Sequence, residues 1–145
     1  MNLIADRFKK LKISPTMKIA AEAMMLISSG EDIVDLTVGE PDFPTPDNAK
    51  NAGIEAINNN FTKYTLNAGL VELRKAIVQK FKTDNNLDYD IKEILVSNGA
   101  KQALFNAVLA VVDDGDEVII PAPYYATYAE IVKISNGTPV EVHAK

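Results

Sequence analysis

Apolar residues recur along the chain in two rhythms, one near 3.6 and one near 2, and the switches between them mark the elements. In MKIAAEAMMLISSG, Ile19, Ala23, Leu26 and Ile27 fall at helical spacing and Gly30 stands at the stop, which predicts an amphipathic helix after Ile13-Ser14-Pro15-Thr16. Met24 and Met25 read as filler of its core. Asp32 to Val38 alternates and is rich in β-branched residues, so it predicts a short strand. Pro41, Pro44 and Pro46 then exclude helix and central strand, leaving a rigid linker or a stiffened loop that presents Gly39 to a ligand. Thr45-Pro46-Asp47 carries an N-cap, a proline at the first helical position and a first-turn acid, and predicts a helix running to near Asn59. Another runs from Leu70 to near Lys82, with Leu73, Ile77 and Phe81 on one stripe, until Asn85-Asn86 breaks the pattern.

From Ile94 the rhythm becomes strand, helix, strand, helix, strand: ILVS, AKQALFNAVLAVV, DEVIIP, YYATYAEIVKIS and TPVEV. That alternation is the signature of a parallel α/β sheet, whose ligands gather at the carboxyl ends of the strands. Two turns stand there, Ser97 to Lys101 and Tyr124-Tyr125. In the first, a strand ends at a helix N-terminus, so the backbone of Gly99 and Ala100 can donate to an anion and Lys101 can add a full positive charge. Asn98-Gly99 is equally a common hairpin turn, and these residues alone leave both readings open. Asp113-Asp114-Gly115-Asp116 reads as turn chemistry rather than as a cation site.

Composition narrows the classes. The 145 residues are of one-domain length and 47% are apolar, enough for a core. A net charge of −5 argues against nucleic acid as a partner, so any anionic ligand must be held by local positive features. With no cysteine and His143 as the one imidazole, a disulfide framework, a thiolate nucleophile, a Cys- or His-based metal centre and a Ser-His-Asp triad are excluded within the chain. MNLIADRFKKLK has no apolar run long enough for a signal peptide or a membrane span, so a cytoplasmic protein with no membrane partner is expected.

ISPT, VGEPDFPTP, TKYTLNAGLVELRKAI, VSNGAKQAL and GDEVIIPAPYYATY, in this order and spacing, resemble the N-terminal part of a class I aminotransferase, closest to the bacterial aspartate aminotransferase subgroup. These are pyridoxal 5′-phosphate (PLP) enzymes of fold type I. The resemblance implies an α/β fold with a mainly parallel large-domain sheet flanked by helices, incomplete in this chain. Residues 1–45 would form an arm, helix and strand of a small domain, and residues 46–145 the first part of the large PLP-binding domain.

Residue by residue, the resemblance implies that Gly99, Ala100 and Lys101 hold the PLP phosphate. Tyr125 takes the place of an aromatic ring, commonly Trp, that stacks on the pyridine. Tyr64 matches a tyrosine that reaches the neighbouring subunit's phosphate, which implies a homodimer. Gly39 matches the glycine that meets the substrate α-carboxylate, and Ser14, Thr16 and Lys101 match the recognition of an acidic side chain. The implied activity is amino transfer between an amino acid, foremost aspartate, and a 2-oxo acid such as 2-oxoglutarate. An aromatic or broad-specificity aminotransferase, a PLP lyase, and a non-catalytic phosphate-binding α/β module are the alternatives. Family chains run two to three times longer, and none of the lysines here lies in the motif of the Schiff-base lysine. No catalytic residue is therefore expected within these 145 residues, which alone should be inactive. In the family wiring, Ile94 to Ser97 would lie near one edge of the large sheet and the strands around Val118 and Pro139 at the other.

Overall fold

Backbone pairing is concentrated in one parallel strand pair. The computed structural model describes residues 3–9, 11, 15–37 and 39–144. Along them run α1 (Asp6–Lys9), α2 (Pro15–Ser28), α3 (Asp47–Asn58), α4 (Val71–Asn85), a 3-10 turn (Ile91–Glu93), α5 (Gly99–Val111), β1 (Glu117–Ala122), α6 (Thr127–Ile134) and β2 (Thr138–His143). β1 and β2 lie parallel, in register from Glu117 opposite Thr138 to Ala122 opposite His143. The chain divides into two compact units, Met1–Glu40 with Ala100–Lys145, and Pro41–Gly99.

In the first unit, α6 connects the two strands and buries Ala129, Ile131 and Val132. Ala129 and Val132 close on Ile120 of β1, and Val108 of α5, Val118 and Tyr124 pack around them. Ala129 and Val132, three residues apart, share the face of this eight-residue helix that meets β1, the 3.6 rhythm converted into burial. After α6 the chain reverses within a few residues: Gly137 N–H returns to the Val132 carbonyl at 3.0 Å and Thr138 N–H reaches the Asp116 carbonyl at 2.8 Å. The Asp113–Asp116 turn is closed by its own carboxylates. Asp116 Oδ2 accepts from Asp113 N–H and Asp113 Oδ1 from Asp114 N–H, both at 2.8 Å.

Two expectations fail in the N-terminal stretch. Residues 32–37 form no strand; Val34 and Leu36 are 83% and 87% exposed, and Val38 lies outside the described residues. Alternation alone cannot make a strand without a neighbouring backbone to pair with, and here the Thr37 N–H bonds instead to Asp35 Oδ1 at 2.8 Å. Met24 and Met25 are exposed rather than core, because α2 turns its Ile19, Ala23 and Leu26 side to the cleft it shares with Ile33–Thr37.

In the second unit, Asp47 rather than Pro46 begins α3; Pro46 sits at the cap position with an extended ψ of 141° and no side-chain cap bond. α4 ends where the Asn pair predicts: Asn86 is left-handed (φ 54°) and Leu87 N–H returns to the Phe81 carbonyl at 3.0 Å. Asp90 and Glu93 form a capping box on the 3-10 turn, and the Arg74 guanidinium ties α4 to it through the Ile91 carbonyl. Ile94 to Ser97 was expected as a strand. The segment carries no ladder, and the sheet among the described residues contains β1 and β2 alone. Ile94 is extended and buried, and Val96 N–H makes a single bond to the Ala68 carbonyl at 3.0 Å. Strand residues without a strand partner stay extended but unladdered.

Gly69 is what allows that bond. Its φ is +99°, and a Cβ there would stand 2.6 Å from Val96 Cγ2. Gly69→Ala meets both the strained dihedral and the collision, and is expected to lower stability by about 1–3 kcal/mol. Urea unfolding of the full-length protein, wild type against variant, measures it.

Candidate functional site

Lys101, from one of the turns singled out in the sequence, and Tyr125, from the other, line one cavity. α5 brings Ala100 and Lys101 to one wall of a cavity of about 650 Å³, and the segment following β1 brings Tyr125 to the other. The remaining wall is largely apolar side chains such as Leu104, Val108, Ile120 and Val132, and Lys101 is the one charged residue among those lining it. An ammonium with no carboxylate among the described residues lining the cavity can attract an anion.

At the head of α5, Gly99 is left-handed with φ +80°, which favours glycine whatever the space around it. Its own N–H is engaged with the Ser97 carbonyl at 2.8 Å. The helix donor that the phosphate reading can use therefore begins at Ala100, whose N–H has no acceptor within the helix.

Lys101 Nζ lies 5.5 Å from the centre of the Tyr125 ring. The neighbouring Thr127 hydroxyl, and then the Lys101 ammonium with its charge, hold the Tyr125 phenol below its ordinary pKa. The ring is set edge-on to Tyr128, with centroids 5.8 Å apart and planes at 75°. Thr127 and Tyr128 were not singled out in the sequence. The signal was present in their spacing, since positions two and three beyond Tyr125 at a helix start share its turn.

None of the other expected site residues is among the described residues lining this cavity. Thr16, in the first turn of α2, and Gly39, in an exposed irregular segment, do not line it. Ser14 lies outside the described residues. Tyr64 belongs to the Pro41–Gly99 unit and its side chain is fully exposed. Among the described residues no helix is long and apolar enough to cross a membrane.

Against known proteins the outcome is decisive at the level of family. Residues 31–145 match the model of aminotransferase class I and II. The chain belongs to this family. It is 48% identical over 143 residues to a probable aspartate/prephenate aminotransferase of Rickettsia conorii and 50% identical over 137 residues to the aspartate/prephenate aminotransferase of Nitrosomonas europaea. Those matches take in 99% and 94% of this chain but 36% and 34% of the relatives, so the chain spans about a third of their length. The solved aspartate aminotransferase of Thermus thermophilus with maleate superposes with a TM-score of 0.96 at 42% identity, over 100% of this chain and 38% of that one. That of Rhizobium meliloti gives 0.91 at 44% identity, over 100% and 36%. The architecture is thus a partial fold type I domain, α/β with a parallel sheet.

Next to Tyr125, Tyr124 donates its hydroxyl hydrogen to Glu141 of β2, which locks the site turn to the sheet and raises the Tyr124 pKa above the ordinary 10.0. A raised folded-state pKa contributes stability that is fully present below pH 10 and is lost as pH rises through the folded value. Wild type should therefore exceed Tyr124→Phe in stability at neutral pH, and the difference should shrink above pH 10. Chemical denaturation between pH 7 and 11 checks the sign.

Proposed function

We propose that this chain is the N-terminal part of a PLP-dependent aminotransferase that moves an amino group between an acidic amino acid, foremost aspartate, and a 2-oxo acid such as 2-oxoglutarate. The observation that carries the reading is the meeting of Ala100, Lys101 and Tyr125 at the head of α5, in a chain of this family. The donor set suits PLP: a helix N-terminus and an ammonium for a phosphate dianion, and an aromatic ring for a planar heterocycle. When bound, PLP supplies the electron sink for the chemistry at the substrate's α-carbon. In this reading the Ala100 N–H holds the phosphate at the turn that Gly99 makes, Tyr125 covers the ring, Gly39 meets the α-carboxylate, and Lys101, with Ser14 and Thr16, meets the acidic side chain. Residues 1–45 belong to the small domain and 46–145 to the large one.

Dicarboxylic substrates are favoured by Lys101 and by the relatives. Aspartate and prephenate, in the names of the Rickettsia and Nitrosomonas proteins, and maleate, in the Thermus structure, each carry two carboxylates. The exposed Tyr64 is assigned to the phosphate of a second subunit, which makes the working protein a cytoplasmic homodimer.

Lys101→Glu places a negative charge where the anion is to bind. In the full-length protein it should weaken PLP retention or aspartate binding by roughly tenfold or more. Cofactor content by absorbance and transfer from aspartate to 2-oxoglutarate test this; wild-type values for both in the variant overturn the assignment of Lys101.

A further inference from the structure

Asparagine followed by glycine is a chemically labile pair, because glycine has no Cβ to keep its nitrogen from the asparagine side chain. The chain holds two such pairs, Asn98-Gly99 and Asn136-Gly137, and their surroundings differ. Asn136 is left-handed at φ 63°, and Gly137 N–H closes the end of α6 on the Val132 carbonyl at 3.0 Å. Gly137 is also wedged: a Cβ there would stand 2.6 Å from Val112 Cγ1 and 3.1 Å from Val132 Cγ1. Moving its nitrogen onto the Asn136 side chain would unseat the end of α6. Asn98 and Gly99 are both exposed, and nothing lies within 4 Å of the place a Gly99 Cβ would take. Gly99 N–H bonds the Ser97 carbonyl two residues back at 2.8 Å, a small ring that rotation at Asn98 alone can open. Standing first in α5, that nitrogen has no place in the helix ladder.

We propose that Asn98 is a site of deamidation in the cofactor-free protein, and that the isoaspartate it yields spoils the turn as a phosphate cradle. The Gly99 nitrogen gives up its proton and bonds to Asn98 Cγ, and the side-chain nitrogen leaves as ammonia, closing a succinimide. Water, the one co-reactant, then opens the ring at either carbonyl to give aspartate or isoaspartate; nothing is oxidised or reduced. Isoaspartate routes the main chain through the side-chain methylene, one carbon longer, directly before Gly99 and Ala100, and sets a carboxylate beside them. That consequence rests on the reading of Ala100 N–H as a phosphate donor, whereas the modification itself does not. A bound phosphate would hold the first turn of α5 and slow the reaction.

The test incubates the full-length protein at mildly alkaline pH, with and without PLP, and follows peptides spanning both pairs by mass for the exchange of amide for acid. Without PLP, Asn98 should convert roughly tenfold faster than Asn136, and PLP should slow Asn98 roughly threefold or more. After ageing and reloading, the fraction that takes up no PLP should be enriched in isoaspartate at position 98 over the loaded fraction. Asn98→Gln, which can cyclise only through a larger ring, should age without that loss of uptake. Conversion of Asn136 as fast as Asn98 overturns the assignment, and equal rates for Asn98 in loaded and unloaded protein overturn its dependence on the cofactor. Equal isoaspartate in the two reloaded fractions overturns the effect on the cradle. A fresh full-length protein that takes up no PLP overturns the aminotransferase reading and that effect with it, while the two conversion rates still decide the assignment of Asn98.

Discussion

The parallel pairing of β1 with β2 is the constraint on which the rest of the described unit depends. Parallel strands cannot be joined by a hairpin, so the chain leaving Ala122 must cross over and return to the start of β2. α6 makes that return, and its Ala129 and Val132 bury against Ile120 as it does so. The residues between β1 and α6 are thereby left at the carboxyl end of the strand, where ligands of open α/β sheets bind. Tyr125 stands where it does because of that wiring, and the Tyr124 bond to Glu141 pins the same turn to the second strand.

Charge is used locally. The chain carries a net −5, yet its largely apolar cavity meets Lys101 with no carboxylate in its lining. The aromatic neighbour of Lys101 is Tyr125, whose ring centre lies 5.5 Å from the ammonium.

Much of this was legible in the sequence where local rules act alone. The helix stops at Asn85-Asn86, the acidic turn at Asp113–Asp116 and the two strands with their connecting helix follow from caps, turn residues and periodicity, and the structure bears them out. The meeting of Lys101 with Tyr125 followed from a fold-level rule about strand ends. What failed was what depends on partners. The 32–37 segment and Ile94–Ser97 have strand composition, but composition cannot state which backbone, if any, lies alongside. Met24 and Met25 failed for the same reason, since a helix with apolar residues on more than one side does not declare which of them is covered. Thr127, which lines the cavity, escaped notice because a threonine at a helix start is ordinary.

The register of β1 on β2 has a kinetic meaning. Partners such as Ile119 and Val140 lie about twenty residues apart in the chain, a short separation for a parallel pair, so strand, helix and strand can close as one early unit at modest loop entropy. Lys101 and Tyr125 are separated by a similar span and are joined from outside and inside that unit respectively. Their contact therefore opens whenever α5 detaches from the βαβ core, without the strands parting. Amide exchange should consequently be graded, with protection deepest along β1 and α6 and shallower at the head of α5, so the anion-facing wall is the more mobile half of the cavity.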